Sequence, residues 1–234
     1  MENVVIIGGT SGLGYSTGLN LAEKGYKVTL AGRNKPKKLG KAFYMSIDVT
    51  DELSIKDFFL SKEIKPIHSI IYSAGVSAKR ISINKFNTQN YLDVLNVNLL
   101  GALLTFKHAY KHLKKTQGRA LVINSIASRS FSKYSGIEYT ISKSGLSGAV
   151  RHLAMEWSED GILINSIFPS MIDTPMLRKA LSEEQLGSIE KDIPLQRIAN
   201  SADMFGIIEF LISSQNTYLT GAGIDINGGQ HLTG

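Results

Sequence analysis

The stretch that most narrows what this chain can fold into is GGTSGLG, residues 8–14, set directly between the apolar run VVII and a helical pattern. Glycines at Gly8, Gly12 and Gly14 permit a tight turn, close approach of backbone to a ligand, and close packing of helix on strand. The helix that follows offers free N–H groups and a positive dipole end to an anion such as a pyrophosphate. The spacing is G-x-x-x-G-x-G rather than G-x-G-x-x-G, and glycine-rich turns without a ligand are common. The placement between first strand and first helix is what makes this one a nucleotide turn.

The rest of the chain agrees with a strand–helix alternation. Apolar, β-rich runs at 3–7, 27–31, 43–47, 68–73, 120–125, 162–168 and 223–226 read as strands, with helical patterns at 14–23, 52–61, 88–115, 139–158 and 202–213. VVIIG, VTLAG and SIIYSAG are apolar without alternation, as strands buried on both faces are. This order predicts an α/β fold, a doubly wound parallel sheet flanked by helices. With no repeat, low-complexity tract or Pro/Ser-rich linker, the 234 residues are expected to form a single domain, 1–234.

Composition removes several classes of function. There is no cysteine, so disulfides, thiolate nucleophiles and Cys-ligated metals are excluded. The formal charge of +6 is spread over scattered lysines, and the densest cluster, Arg33 with Lys35, Lys37 and Lys38, falls in one loop; no nucleic-acid surface is expected. No apolar stretch approaches the roughly 18–20 residues that cross a bilayer. The opening MENVVIIGG lacks a basic leader, and the expected address is cytoplasmic, with no membrane partner.

The end of the second strand should choose the adenosine ribose. An acid there holds free ribose hydroxyls, whereas VTLAGRN supplies Gly32 and Arg33, with no acid before Asp48. An Arg in that position stacks on adenine and bonds a 2′-phosphate, so the expected cofactor is NADP(H). The lysines of the loop are read as pointing at water.

Two tyrosines have a lysine four positions on: YTISK at 139–143 and YKHLK at 110–114. Residues i and i+4 share one helix face, so spacing alone does not choose between them. Lys114 near a helix C-terminus has a plain dipole explanation. Tyr139 instead opens a new helix after a strand that ends in a serine. His108 and His112 are also four apart, but no Glu follows the first and no third ligand stands nearby; both are read as surface residues, and no metal site is expected.

With GGTSGLG and YTISK so placed, the chain resembles the short-chain dehydrogenase/reductase family nearly end to end, which implies a Rossmann-type sheet of about seven strands. GGTSGLG, carrying Thr10, Ser11 and Leu13, is similar to the family's cofactor turn, with Ile7 for the usual preceding Thr. Asp48–Val49 resembles its adenine-contacting pair. YSAG matches the usual Asn-Asn-Ala-Gly in Ala74 and Gly75. NVNLLG places Asn98 at the active-site asparagine, and LVINS places Ser125 at the catalytic serine. The gap from Ser125 to Tyr139 is one residue longer than is common, and Ser128 is the alternative serine. Pro169 is followed by Ser170 where the family has Gly; Ile172 and Thr174 fall in its nicotinamide-amide stretch. YLTGAGIDINGG resembles its closing strand and turn.

The resemblance implies reversible hydride transfer at a carbonyl or alcohol carbon of a small molecule. Tyr139 is the expected general acid and base, Lys143 lowers the phenol pKa and holds the nicotinamide ribose, and Ser125 bonds the substrate oxygen. Asn98 holds a water linking Lys143 to solvent. A segment at about 171–194, with Met171, Met176, Leu177, Leu181 and Leu186, is either a substrate lid or an amphipathic helix packed on the core. The leading expectation is an NADPH-dependent ketone reductase. A 3-oxoacyl-thioester reductase is the second: Glu159 and Asp160 stand where many carrier-protein reductases have a basic residue, with Lys114 and Lys115 as possible substitutes. A non-catalytic NADP-binding regulator is the third. A homotetramer, or failing that a homodimer, is expected through helices 88–115 and 139–158, with small Gly145, Gly148 and Ala149 facing either a partner or the chain's own sheet.

Overall fold

Seven parallel strands form one sheet in the order β3-β2-β1-β4-β5-β6-β7. The computed structural model describes residues 2–77, 79–174, 177–178 and 181–232. The strands are β1 Asn3–Ile7, β2 Lys27–Gly32, β3 Phe43–Ser46, β4 Ser69–Tyr72, β5 Arg119–Ile123, β6 Leu163–Pro169 and β7 Gly223–Ile226. The helices are α1 Gly12–Glu23, α2 Glu52–Leu60, α3 Thr88–Leu95, α4 Gly101–Thr116, α5 Ile137–Trp157, α6 Glu183–Lys191 and α7 Ala202–Ile212. This is the expected doubly wound architecture.

Successive residues of a strand face opposite sides, so β1 feeds two apolar layers. Val5 and Ile7 join Phe58, Phe106, Leu146 and Trp157 beneath α2, α4 and α5. Val4 and Ile6 join Leu21, Met204, Ile208 and Leu211 beneath α1 and α7. Each such side chain, fully buried, contributes about 1.5–3 kcal/mol. The chain starts in the middle of the sheet, winds outward to β3, then returns to the other side of β1 as β4. That reversal opens a crevice at the strands' carboxyl ends, where ligands of such sheets bind.

The expected helix 88–115 is continuous from Thr88 to Thr116 but carries a π-helical turn at Asn96–Leu100. The extra residue in that turn brings Asn98 to zero exposure. Tyr72 braces the turn by donating its hydroxyl to the Val97 carbonyl. Gly101 makes room for this, since a Cβ there would lie 2.8 Å from both the Tyr72 hydroxyl and the Val49 carbonyl oxygen.

YKHLK holds the outside of the fold together. Tyr110 donates to Asp160, and Lys114 Nζ lies 2.7 Å from the same carboxylate, fixing the turn before β6. His108 and His112 are half-buried rather than on the open surface, because α4 packs on α2. His108 Nε2 meets Glu52 at 3.1 Å, and the His112 ring stacks on Phe59 at 6.1 Å. Gly145 faces the chain's own Leu99, 2.8 Å from its ideal Cβ, whereas Gly148 meets only the Arg151 side chain, 4.0 Å away.

In the 171–194 segment the described residues include α6, opened by a reciprocal capping box between Ser182 and Gln185. Leu186 and Ile189 are buried, which is the amphipathic-helix reading of this part. Met176 lies outside the described residues. Lys133 Nζ, in the loop between β5 and α5, meets Asp192 at 2.8 Å just past α6.

Candidate active site

A cleft of about 900 Å³ opens along the carboxyl ends of β1, β2, β4, β5 and β6. The glycine turn forms one end. Gly8 has φ +78, and a Cβ on it would lie 2.4 Å from the Ala74 amide nitrogen, so β1 and β4 approach here as only glycine allows. Gly12, at φ +54, has no atom within 4 Å of its ideal Cβ, so its backbone faces open space above the turn. Thr10, Ser11 and Leu13 line the cleft. Gly14 does not; an ideal Cβ on it would lie 2.5 Å from the Gly8 carbonyl oxygen, so it shapes the turn from behind.

Arg33 stands exposed at the cleft's edge, straight after Gly32, where an ideal Cβ would lie 2.5 Å from the Thr10 hydroxyl. Opposite is Asp48, with Val49 beside it on the wall. The Thr50 N–H and hydroxyl, at 2.9 and 2.8 Å, hold the Asp48 carboxyl below its usual pKa, with a further pull from the Arg33 charge. Cradle, cation and glycine floor fit a dinucleotide carrying an extra phosphate.

At the other end stand Ser125, Tyr139 and Lys143, with Pro169, Ile172 and Thr174 completing the wall. Burial pushes the Tyr139 phenol up, against a hydrogen bond with Ser125 that pulls it down. Lys143 is 4% exposed, and burial lowers its ammonium to about 8. Its Nζ donates to the Ile123 carbonyl at 2.9 Å and lies 5.7 Å from the centre of the Tyr139 ring. The expected lowering of the phenol by this ammonium is therefore not what the structure shows. The lysine is aimed at the strand end, and desolvation dominates both groups.

Ser125 Oγ also accepts from the Ala127 N–H at 3.1 Å, while Ser128 turns away and donates to the Ser125 carbonyl at 2.8 Å. Of the two candidate serines, Ser125 faces the cleft. Asn98 lies behind the wall: its Oδ1 accepts from Val76 N at 2.8 Å, and its Nδ2 donates to the Val76 carbonyl and Ser142 Oγ, both at 3.0 Å. Its amide is thus structural, with little left for the expected water. Ala74 and Gly75 floor the cleft. An ideal Cβ on Gly75 comes 3.5 Å from Asn98 Oδ1 and 3.8 Å from Lys143 Nζ, which is ordinary contact.

The sequence reading missed Asn124, Ile123, Tyr15 and Ser73, all on the cleft wall. Asn124 accepts from the Ser125 N–H and donates to Ser147 Oγ, both at 3.0 Å, pinning the serine from behind. Tyr15 donates to the Lys38 carbonyl at 2.9 Å and ties down the basic loop. Adjacency in sequence to Ser125, to the glycine turn and, for Ser73, to Ala74 was the available signal.

The family described as Enoyl-(Acyl carrier protein) reductase matches residues 8–231. The chain is 31% identical to the 3-oxoacyl-[acyl-carrier-protein] reductase MabA of Mycobacterium tuberculosis, over 99% of this chain and 93% of that protein. Among solved structures, ElxO with NADP bound aligns with a TM-score of 0.90 at 27% identity, covering 98% of each chain. Sorbitol-6-phosphate 2-dehydrogenase SrlD from Erwinia amylovora also aligns at 0.90, with 26% identity over 98% of this chain and 100% of that one.

Proposed function

The chain belongs to the short-chain dehydrogenase/reductase family, and we propose that it is an NADPH-dependent oxidoreductase that reduces a ketone to a secondary alcohol, with Tyr139 as general acid. The observation that carries this reading is one cleft with Arg33 at one end and Ser125, Tyr139 and Lys143 at the other. When bound, NADPH supplies the hydride. Gly8, Thr10, Ser11, Gly12 and Leu13 would hold its pyrophosphate, Arg33 its 2′-phosphate, and Asp48 and Val49 its adenine. Ala74, Gly75, Pro169, Ile172 and Thr174 would hold the rest.

The raised phenol suits reduction, because Tyr139 stays protonated at neutral pH and has a proton to give to the carbonyl oxygen. Ser125 orients that oxygen and stabilises the charge it gains. Lys143 keeps two N–H donors beyond its bond to Ile123, enough for a pair of ribose hydroxyls. Asn98 sets the position of the Val76 backbone behind the cleft floor. Met171, Leu177 and Leu181 would cover the substrate.

A second reading, reduction of a 3-oxoacyl thioester, is favoured by the name of the Mycobacterium relative. Against carrier docking through the turn before β6 stands the Tyr110–Lys114–Asp160 cluster, which pairs Lys114 with a carboxylate of that turn. A homotetramer or dimer would form through Leu100 in the π turn, Leu103 on α4, and Ile141 and Met155 on α5, all exposed. A monomer at micromolar concentration by light scattering refutes that assembly.

The experiment is NADPH oxidation by purified protein against keto sugars, diketones, quinones and 3-oxoacyl thioesters, with Tyr139→Phe beside it. Turnover of one class, lost by about 10³-fold or more in the variant, is the expected result. Full activity in Tyr139→Phe sinks the assignment. NADPH binding without any turnover favours a non-catalytic regulator.

A further inference from the structure

A second cavity, of about 270 Å³, lies between α5, the turn after β5, and strands β6 and β7. Its wall is rich in hydrogen-bond donors. Arg151 on α5 reaches it with no acidic partner among the described residues. Ser166, opposite Gly223 across β6 and β7, is 1% exposed, and its Oγ has no hydrogen-bond partner among the described residues. Arg129 is held rigidly: its guanidinium stacks 3.9 Å from the centre of the Phe168 ring, Nη2 donates to the Gly223 carbonyl at 3.0 Å, and Nε meets Asp225 at 3.3 Å. Asp225 offsets one of the two guanidinium charges and leaves the other.

A buried hydroxyl without a partner is rare in a folded protein and calls for an acceptor. Guanidinium forks and hydroxyls together suit a tetrahedral oxyanion. The far wall also belongs to the catalytic serine's own turn. Ser128 donates to the Ser125 carbonyl at 2.8 Å, and Ser147 accepts from Asn124, which holds the Ser125 N–H.

We propose that this cavity binds a small phosphate-bearing molecule through Arg151, Arg129 and Ser166, and that its occupancy is felt at Ser125 through Ser128 and Ser147. The second half rests on the catalytic reading of Ser125; the first does not.

The test is calorimetric titration of inorganic phosphate, and separately of glycerol 1-phosphate, into protein saturated with NADPH so that the glycine turn is filled. Wild type should bind, Arg151→Ala should weaken binding about 10-fold or more, and Ser166→Ala about 3-fold. Tighter binding of the ester marks a phosphorylated metabolite, and equal binding marks free phosphate. No binding up to about 10 mM, or equal binding by Arg151→Ala, overturns the site. If NADPH itself does not bind, the cofactor reading fails, yet wild type against Arg151→Ala still decides the site, because Arg151 is outside the cleft. Saturating phosphate should change kcat about twofold or more in wild type and leave Arg151→Ala unmoved. Binding with an unchanged kcat overturns the coupling to Ser125.

Discussion

Lys143 Nζ donates to the Ile123 carbonyl at 2.9 Å, so the lysine of α5 is anchored to the last residue of β5, two positions before Ser125. One bond thus sets the distance between the helix that carries the tyrosine and the strand that carries the serine. It also places a cation where little water reaches it.

Burial of that cation predicts a dependence of stability on pH. With its pKa at about 8 instead of the ordinary 10.5, Lys143 gives up its proton earlier in the folded state. The folded state then binds fewer protons between pH 8 and 10.5, so this group's penalty is full below pH 8 and relieved as pH rises. Denaturant melts of Lys143→Met and wild type should show the variant's stability advantage shrinking by about 1 kcal/mol from pH 7 to pH 9. A constant difference means the lysine titrates normally.

Gly8 and Gly75 should respond in opposite ways to alanine. Gly8→Ala meets a positive φ and the backbone of Ala74 at 2.4 Å, and should destabilise the fold by about 2–4 kcal/mol. Gly75→Ala meets only ordinary contacts, and should melt within about 0.5 kcal/mol of wild type while losing about 10-fold or more in NADPH affinity. Undiminished affinity in Gly75→Ala would place the dinucleotide elsewhere.

Arg33→Ala should weaken NADPH about 10- to 100-fold and NADH by much less, since a charge-assisted bond to phosphate is removed. Fluorescence titration with both nucleotides decides it. Equal weakening means Arg33 reads something other than the 2′-phosphate.

The two serines separate on kinetics. Ser125→Ala should lower kcat about 10²–10³-fold, as loss of an oxyanion donor does. Ser128→Ala removes only a bond to the Ser125 carbonyl, and should cost about 10-fold or less. The reverse order would move the catalytic role to Ser128.

The architecture was legible because buried parallel strands are written as unbroken apolar runs. The bounds of β1 and β7 come out as read, and the other strands within two residues at either end. Less was legible where geometry depends on distant partners. The π turn at Asn96–Leu100 rests on Tyr72 and Val76, remote in sequence, and no local pattern announces it. Spacing put Tyr139 and Lys143 on one helix face but did not show that the ammonium is turned to Ile123. The YKHLK pair reads as structural from its place near a helix C-terminus, but its actual partner, Asp160, lies 46 residues beyond Lys114 and could not be read locally. In sequence, helix α6 stays open between a lid and a packed amphipathic helix, because Leu186 and Ile189 are its buried residues on an otherwise acidic, polar surface.

Every strand of the sheet runs in the same direction, so all the cleft residues gather along one rim and the opposite rim carries turns alone. The turn at Gly25, between α1 and β2, and the left-handed Gln117, between α4 and β5, belong to that second rim. The two rims answer to separate demands, chemistry on one and chain reversal on the other. A short epitope spliced into the Gly25 turn should therefore be carried at the far end of the molecule from the chemistry, a place to tether the protein without obstructing its work.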